Sequence, residues 1–168
     1  RIELTDLAAE NVLVVRADCT YSHTGEGLHR FVDPADDRVY LYTQFEVPDA
    51  RRVFTTFEQP DLKSVFTFTV TAPAHWVVVS NAPTPEPTPA GEGVATWSFP
   101  TTKRMSTDIT AIVAGEYHGE FDTYEGKFGT IPLGHYGRQS LKEHMDTAEL
   151  VKLTKQSFAW FEEQFDYP

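Results

Sequence analysis

The spacing of apolar residues changes period along this chain, and that change constrains the fold more than any other feature of the sequence. From Val65 to Thr71, apolar residues alternate with threonines, which is the period of a strand with one buried face. From Asp146 onward, apolar residues recur at helical spacing. The sequence therefore predicts a mainly β fold that is followed by a helix.

Other runs rich in β-branched and aromatic residues predict further strands. These runs are residues 11–19, 39–46, 75–80, 94–99 and 108–113, with two shorter strands between residues 121 and 136. Residues 81–93 are rich in proline and predict an exposed loop. Short strands at this spacing indicate a β-sandwich or a curved, saddle-like sheet.

The C-terminal pattern predicts a helix from Thr147 to Phe165. Asp146 is placed to cap it, and Glu149 three residues later completes a capping-box arrangement. The apolar stripe of this helix comprises Leu150, Leu153, Phe158, Phe161 and Phe165. We expect the chain to cover that stripe incompletely, because little sequence remains to pack against it.

The change of pattern also suggests two units. We place a partial N-terminal β domain at residues 1–118 and the start of a second, α+β unit at residues 119–168. Both ends of the sequence look cut, so we expect the chain to be a piece of a longer protein.

Composition limits the partners that this chain can have. A net charge of −11 argues against nucleic acid and against an anionic membrane surface, since both need a basic face. No apolar run approaches the ~18 residues of a membrane span. Cys19 is the only cysteine, which excludes an intrachain disulfide and suits the cytoplasm.

The sequence contains no pattern typical of a metal or nucleophile site. None of its six histidines forms the i, i+4 pair of a zinc helix. The acidic cluster from Asp33 to Asp37 fits no calcium loop, so we interpret it as an acidic turn. We therefore assign no catalytic residue and no metal ligand.

Gln44 and Glu46 are the candidate binding residues. If residues 39–46 are extended, the two side chains share one face of the strand while Phe45 points to the core. A pair of polar residues at this spacing is usually the solvated face of a strand. Only the surrounding sequence distinguishes Gln44 and Glu46 from such a solvated face.

That surrounding sequence resembles the zinc aminopeptidases of the aminopeptidase N family. The resemblance rests on Tyr42–Glu46, Ala50–Phe54 and Phe57–Lys63. It continues in order through Phe66–Val70, Ser80–Asn81, Trp97–Phe99, Met105–Thr107 and Phe161–Pro168. The chain departs from the usual pattern at Asp108, where the family has tyrosine, and within Phe54–Pro60, which suggests a particular branch.

The resemblance implies a zinc exopeptidase that removes the amino-terminal residue of peptides. Glu46 matches the family position that binds the ammonium group of the substrate, and Gln44 matches the position that lines the pocket for the first side chain. The chain lacks the His-Glu-x-x-His and Gly-x-Met-Glu-Asn motifs. We therefore expect zinc and the general base in the remainder of a thermolysin-like catalytic domain, and no activity in this piece alone.

Three alternatives remain open. An epoxide-hydrolase branch of the same family tends to carry glutamine where Glu46 stands, so Glu46 favours the peptidase. A non-catalytic relative, acting as a scaffold subunit of a transcription complex, would lack the zinc motif in its full sequence. An unrelated β-sandwich binding module would not match the family segments in order.

Overall fold

The computed structural model describes residues 3–167. Its strands are β1 (Gly27–Val32), β2 (Val39–Gln44), β3 (Thr69–Pro73), β4 (Val77–Ser80), β5 (Thr88–Gly91), β6 (Val94–Ser98), β7 (Ile112–Gly115), β8 (Tyr117–Gly126) and β9 (Gly129–Arg138). Helix α1 spans Thr147–Phe165, and 3₁₀-helices span Ala50–Arg52, Thr107–Ile109 and Gln139–His144. No helix among these residues is long and apolar enough to cross a membrane.

The strands form antiparallel sheets. One sheet has the order β1-β2-β7-β4, a second has the order β3-β6-β5, and β8 pairs with β9 as a long hairpin. Alternate residues of the first two sheets meet in a shared core. Its buried members are Leu41, Val78, Ala95, Trp97, Phe99 and Ala114. The mainly β class, with a sandwich-like pair of sheets, is confirmed.

The strand predicted from Val65 begins later than its alternating pattern indicates. Only Thr69–Pro73 forms a regular ladder. Before it, the carbonyl of Phe68 accepts from the amide of Phe99, and the carbonyl of Phe66 accepts from the amide of Thr102. A step of two residues from Phe66 to Phe68 therefore pairs with a step of three residues from Phe99 to Thr102. Pro100, within the longer step, has no amide to donate. The chain stays extended there, but its pairing is irregular.

The strand predicted for residues 11–19 is wrong. These residues form no strand and are exposed throughout, with Val12 92% exposed. A β-branched run forms a strand only when another strand satisfies its backbone groups. No neighbouring strand in the described part of the chain pairs with this run.

The helix prediction is confirmed. Helix α1 spans Thr147–Phe165, and the Asp146 carboxylate accepts a hydrogen bond from the Glu149 amide at 3.1 Å. The predicted apolar stripe is packed at one residue and exposed at the others. Phe158 stacks on Tyr124 of the hairpin at 5.4 Å. Leu150, Leu153, Phe161 and Phe165 are exposed.

Polar contacts fix the packed side of α1 on the hairpin. The Tyr124 hydroxyl donates to the Glu162 carboxylate at 2.8 Å, and Lys155 donates to Asp122 at 2.9 Å. Lys155 is the leading cause of the lowered pKa of Asp122. We therefore treat β8, β9 and α1 as one hairpin–helix unit.

Tyr117 provides a pH test of how the first sheet meets this unit. Its ring packs edge-on against Tyr40 at 4.9 Å, its hydroxyl donates to the Leu41 carbonyl, and burial raises its pKa from 10.0 to about 12. Because the folded-state pKa is raised, the stability that Tyr117 contributes is fully present below pH 10.0 and is lost as the pH rises to about 12. We expect denaturant midpoints to fall across this window, and Tyr117→Phe to flatten that fall. An unchanged slope in the variant would exclude Tyr117 as the cause.

Candidate binding site

Gln44 lies at the C-terminal end of β2, next to the first residue of β1. It is the last residue of the strand and pairs with Gly27. Gly27 has φ +64, and a Cβ there would lie 3.3 Å from the Cβ of Arg52. This corner therefore needs glycine on both conformational and steric grounds. The Gln44 side chain is exposed.

Glu46 lies in the turn that follows β2, not on the strand. The prediction that residues 39–46 form one strand is wrong at its C-terminal end, because β2 stops at Gln44. Pro48 restricts Val47 and cannot donate to a ladder, so the chain turns. The Asp49 amide then donates to the Phe45 carbonyl at 3.1 Å.

The structure nevertheless brings the two predicted residues together. The Glu46 amide donates to the Gln44 side-chain oxygen Oε1 at 2.6 Å. That bond occupies one of the two lone pairs of the Gln44 oxygen and does not involve the Glu46 carboxylate. Both side chains are exposed, and the Glu46 carboxylate makes no hydrogen bond or ion pair with residues 3–167. We call residues 44–46 the Gln-Glu turn.

Phe45 anchors the Gln-Glu turn. It is 3% exposed, and its ring meets Phe54 edge-on at 5.8 Å. Phe54 in turn contacts Phe66 and Phe68, which stack on each other at 6.0 Å. Offset and edge-on aromatic contacts of this kind restrict the rings beyond simple burial. The prediction that Phe45 faces the core is confirmed.

The segment after the turn folds beneath it. Ala50 is fully buried, and the half-exposed Arg52 donates to the Asp49 carboxylate at 2.5 Å. The Arg51 amide donates to Glu58 Oε2 at 2.6 Å, while Glu58 Oε1 is buried without a hydrogen-bond partner in the described chain. Asp49 and Arg52 therefore neutralise each other, and Glu46 remains an uncompensated negative charge.

Tyr42 and His29 continue the exposed face that leads to Gln44, a feature that strand alternation could have revealed. They are cross-strand partners, and their rings lie 4.9 Å apart. The Gly25 amide donates to His29 Nδ1 at 3.1 Å. The face of β1 and β2 that leads to Gln44 therefore presents two packed rings.

The zinc implied by the resemblance does not fit this site. Among residues 3–167, no group of three or more His, Cys, Asp or Glu side chains could hold a metal ion. His118, for example, is engaged with Glu120 at 2.5 Å. A catalytic zinc needs three protein ligands. No step of zinc chemistry can therefore be derived from these residues.

The arrangement suits a cation with several donors. An ammonium group offers three N–H donors and a full charge, which a free carboxylate and an adjacent amide oxygen can accept. The fold and this turn define a chain with a β-sandwich domain that presents an unpaired carboxylate just after β2. Residues 17–109 match the peptidase M1 N-terminal domain.

Comparison with known proteins agrees with that match. The chain is 55% identical over 161 residues to aminopeptidase N of Streptomyces lividans, covering 96% of this chain and 18% of that protein. It is 41% identical over 108 residues to aminopeptidase N of Acetobacter pasteurianus, covering 64% of this chain and 29% of that protein. The chain belongs to the aminopeptidase N family, as the resemblance predicts, and spans less than a third of either relative.

The geometry of the Gln-Glu turn is testable by hydrogen exchange. Gln44→Ala removes the acceptor of the Glu46 amide, and a hydrogen bond of this kind contributes about 0.5–1.5 kcal/mol. We expect that amide to exchange about 2- to 10-fold faster in the variant, measured by NMR. Gln44→Glu keeps an acceptor and serves as the control. Equal exchange in Gln44→Ala and in the unmodified chain would show that the bond does not form.

Proposed function

We propose that this chain contributes substrate recognition to a zinc aminopeptidase by holding the free amino terminus of a peptide. The observation that carries the proposal is the exposed Glu46 carboxylate, unpaired within residues 3–167, in a turn whose backbone is tied to Gln44 by the 2.6 Å hydrogen bond from the Glu46 amide. Both curated relatives are called aminopeptidase N, which supports peptides as the substrate class.

The roles of the two residues follow from their chemistry. Glu46 supplies a full negative charge to the ammonium group, and Gln44 supplies a neutral contact close to the first side chain of the peptide. Requiring a charged amine at a fixed place limits cleavage to one residue from the end. The sandwich core and Phe45 anchor the backbone of this turn, which limits the ordering that is needed when the peptide binds.

Zinc, when bound by the rest of the enzyme, would polarise the scissile carbonyl and activate a water. The residues of this chain would contribute binding and orientation alone. We therefore propose that the chain by itself is inactive and that residues 119–168 begin the catalytic domain. Because Cys19 is the only cysteine of the chain, we also propose that the enzyme acts in the cytoplasm.

The epoxide-hydrolase branch is the second candidate. It shares the scaffold, but an epoxide substrate offers no ammonium group to a carboxylate. Glu46 therefore favours the peptidase. The non-catalytic scaffold relative differs in the zinc motif, which lies outside the residues of this chain.

Glu46→Ala in the full-length protein tests the proposal. We expect it to reduce kcat/KM on aminoacyl substrates far more than Gln44→Ala, because it removes a charge from a charged partner. Loss of one member of a buried charge pair costs about 2–5 kcal/mol, or about 30- to 5,000-fold in kcat/KM.

Glu46→Gln is the matched control, because it keeps the shape of the side chain and removes only the charge. It should resemble Glu46→Ala more than the unmodified protein. Full activity of Glu46→Ala would remove Glu46 from substrate recognition. Equal losses in Glu46→Ala and Gln44→Ala would contradict the separate roles.

A further inference from the structure

The open end of the β8–β9 hairpin contacts the turn between β1 and β2 through both of its strands. We call this turn, residues 33–38, the clasp turn. The residue before β8, Glu116, contacts it from one strand, and Arg138 and Ser140 contact it from the end of β9. These contacts connect positions that are 78 to 107 residues apart in sequence.

Asp33, the first residue of the clasp turn, makes the contacts of this turn with the end of β9. It is 2% exposed, and its carboxylate accepts from the Ser140 hydroxyl at 2.5 Å, from Arg138 at 3.0 Å and from the Ala35 amide at 3.0 Å. These hydrogen bonds, led by that of Ser140, lower its pKa. A buried carboxylate is unfavourable without such donors, so Asp33 holds the end of β9 in one place. Arg138 also lies over the Phe31 ring at 5.1 Å.

The start of the hairpin is held from the other side of the same turn. Arg38 donates to Glu116 at 3.2 Å and to Asp36 at 2.7 Å. Next to Glu116, Gly115 has φ +154, and a Cβ there would lie 2.6 Å from the Val39 carbonyl oxygen. The chain therefore passes from β7 into β8 in direct contact with β2.

The clasp turn leads directly into the strand that carries Gln44. Tyr40, 2% exposed, accepts a hydrogen bond from the Gln139 amide at 2.9 Å. Tyr40 and Gln44 lie on the same face of β2, because their positions differ by four and side chains alternate. The hairpin–helix unit is thus fastened to one end of the row of side chains that ends in Gln44.

We propose that the clasp turn sets the position of the hairpin–helix unit relative to the Gln-Glu turn, and that Asp33 is a positioning residue for the amino-terminus site. This inference rests on the proposed function, in which the hairpin–helix unit begins the catalytic half of the enzyme. Glu46 and the reacting groups then belong to two units whose separation depends on Asp33.

The position of the hairpin–helix unit relative to the Gln-Glu turn should affect KM, because we expect substrate to bind to only one arrangement of the two. If that arrangement is populated for a fraction f of the time, the apparent dissociation constant rises by 1/f. A variant in which f falls to about one tenth shows a KM about tenfold higher. A purely structural loss lowers the amount of folded enzyme, and therefore kcat, while KM stays constant.

The first measurement is the distance between the two units in the full-length protein. A ketone-bearing amino acid at positions 103 and 156 carries nitroxide labels for double electron–electron resonance, since Lys103 and Gln156 are both exposed. We expect Asp33→Asn to broaden the distance distribution. Asp37→Asn makes the same chemical change in the same turn, at an exposed side chain, and should leave the distribution unchanged. Ser140→Ala removes a single donor and provides a milder variant should Asp33→Asn fold poorly.

The second measurement is the KM of the same variants. Broadened distances with a KM raised about tenfold in Asp33→Asn, and to a smaller extent in Ser140→Ala, support the inference. Unchanged distances in both variants overturn it. Broadened distances with an unchanged KM overturn the positioning role while leaving the assignment of Glu46 intact, which depends on the kcat/KM of its own variants.

Discussion

The burial of Phe45 is the interaction on which the candidate site depends. Gln44 and Glu46 flank this residue, and its ring is held by Phe54 in a cluster with Phe66 and Phe68. Because side chains alternate along a strand, an anchored Phe45 leaves Gln44 on the opposite, exposed face. Glu46 follows in the turn, so Phe45 anchors the backbone of both residues to the sandwich core. The hydrogen bond from the Glu46 amide to Gln44 then fixes the turn itself.

A small number of hydrogen bonds also joins the sandwich to the hairpin–helix unit. The hairpin and α1 share few apolar contacts with the sandwich, and the connection is made largely by Asp33, Arg38 and Tyr40. Directional hydrogen bonds suit this task, because they define an orientation where apolar burial alone tolerates sliding. The exposed face of α1 remains apolar at Leu153, Phe161 and Phe165.

The sequence predicts the features that depend only on residues close together in the chain. The capping residue Asp146 and the helical spacing after it define α1, and the apolar patterns identify most of the sandwich strands. They miss β1 at Gly27–Val32, and they predict a loop where β5 forms at Thr88–Gly91. The strand at residues 11–19 failed because a strand also needs a partner, which a periodic pattern cannot supply. The end of β2 was misplaced because Pro48 outweighed alternation. Asp33 was seen only as part of an acidic turn, since its donors Arg138 and Ser140 are remote in sequence.

The central claim is that Glu46 recognises the ammonium group of the peptide, and paired inhibitors test it most directly. One inhibitor carries a free amine, and the other is its deaminated analogue of the same shape. In the unmodified full-length protein, the ratio of their inhibition constants should favour the amine by about 30-fold or more. In Glu46→Ala, that preference should fall to a few-fold, because the ammonium has lost its partner. An equal preference in both proteins would contradict the account.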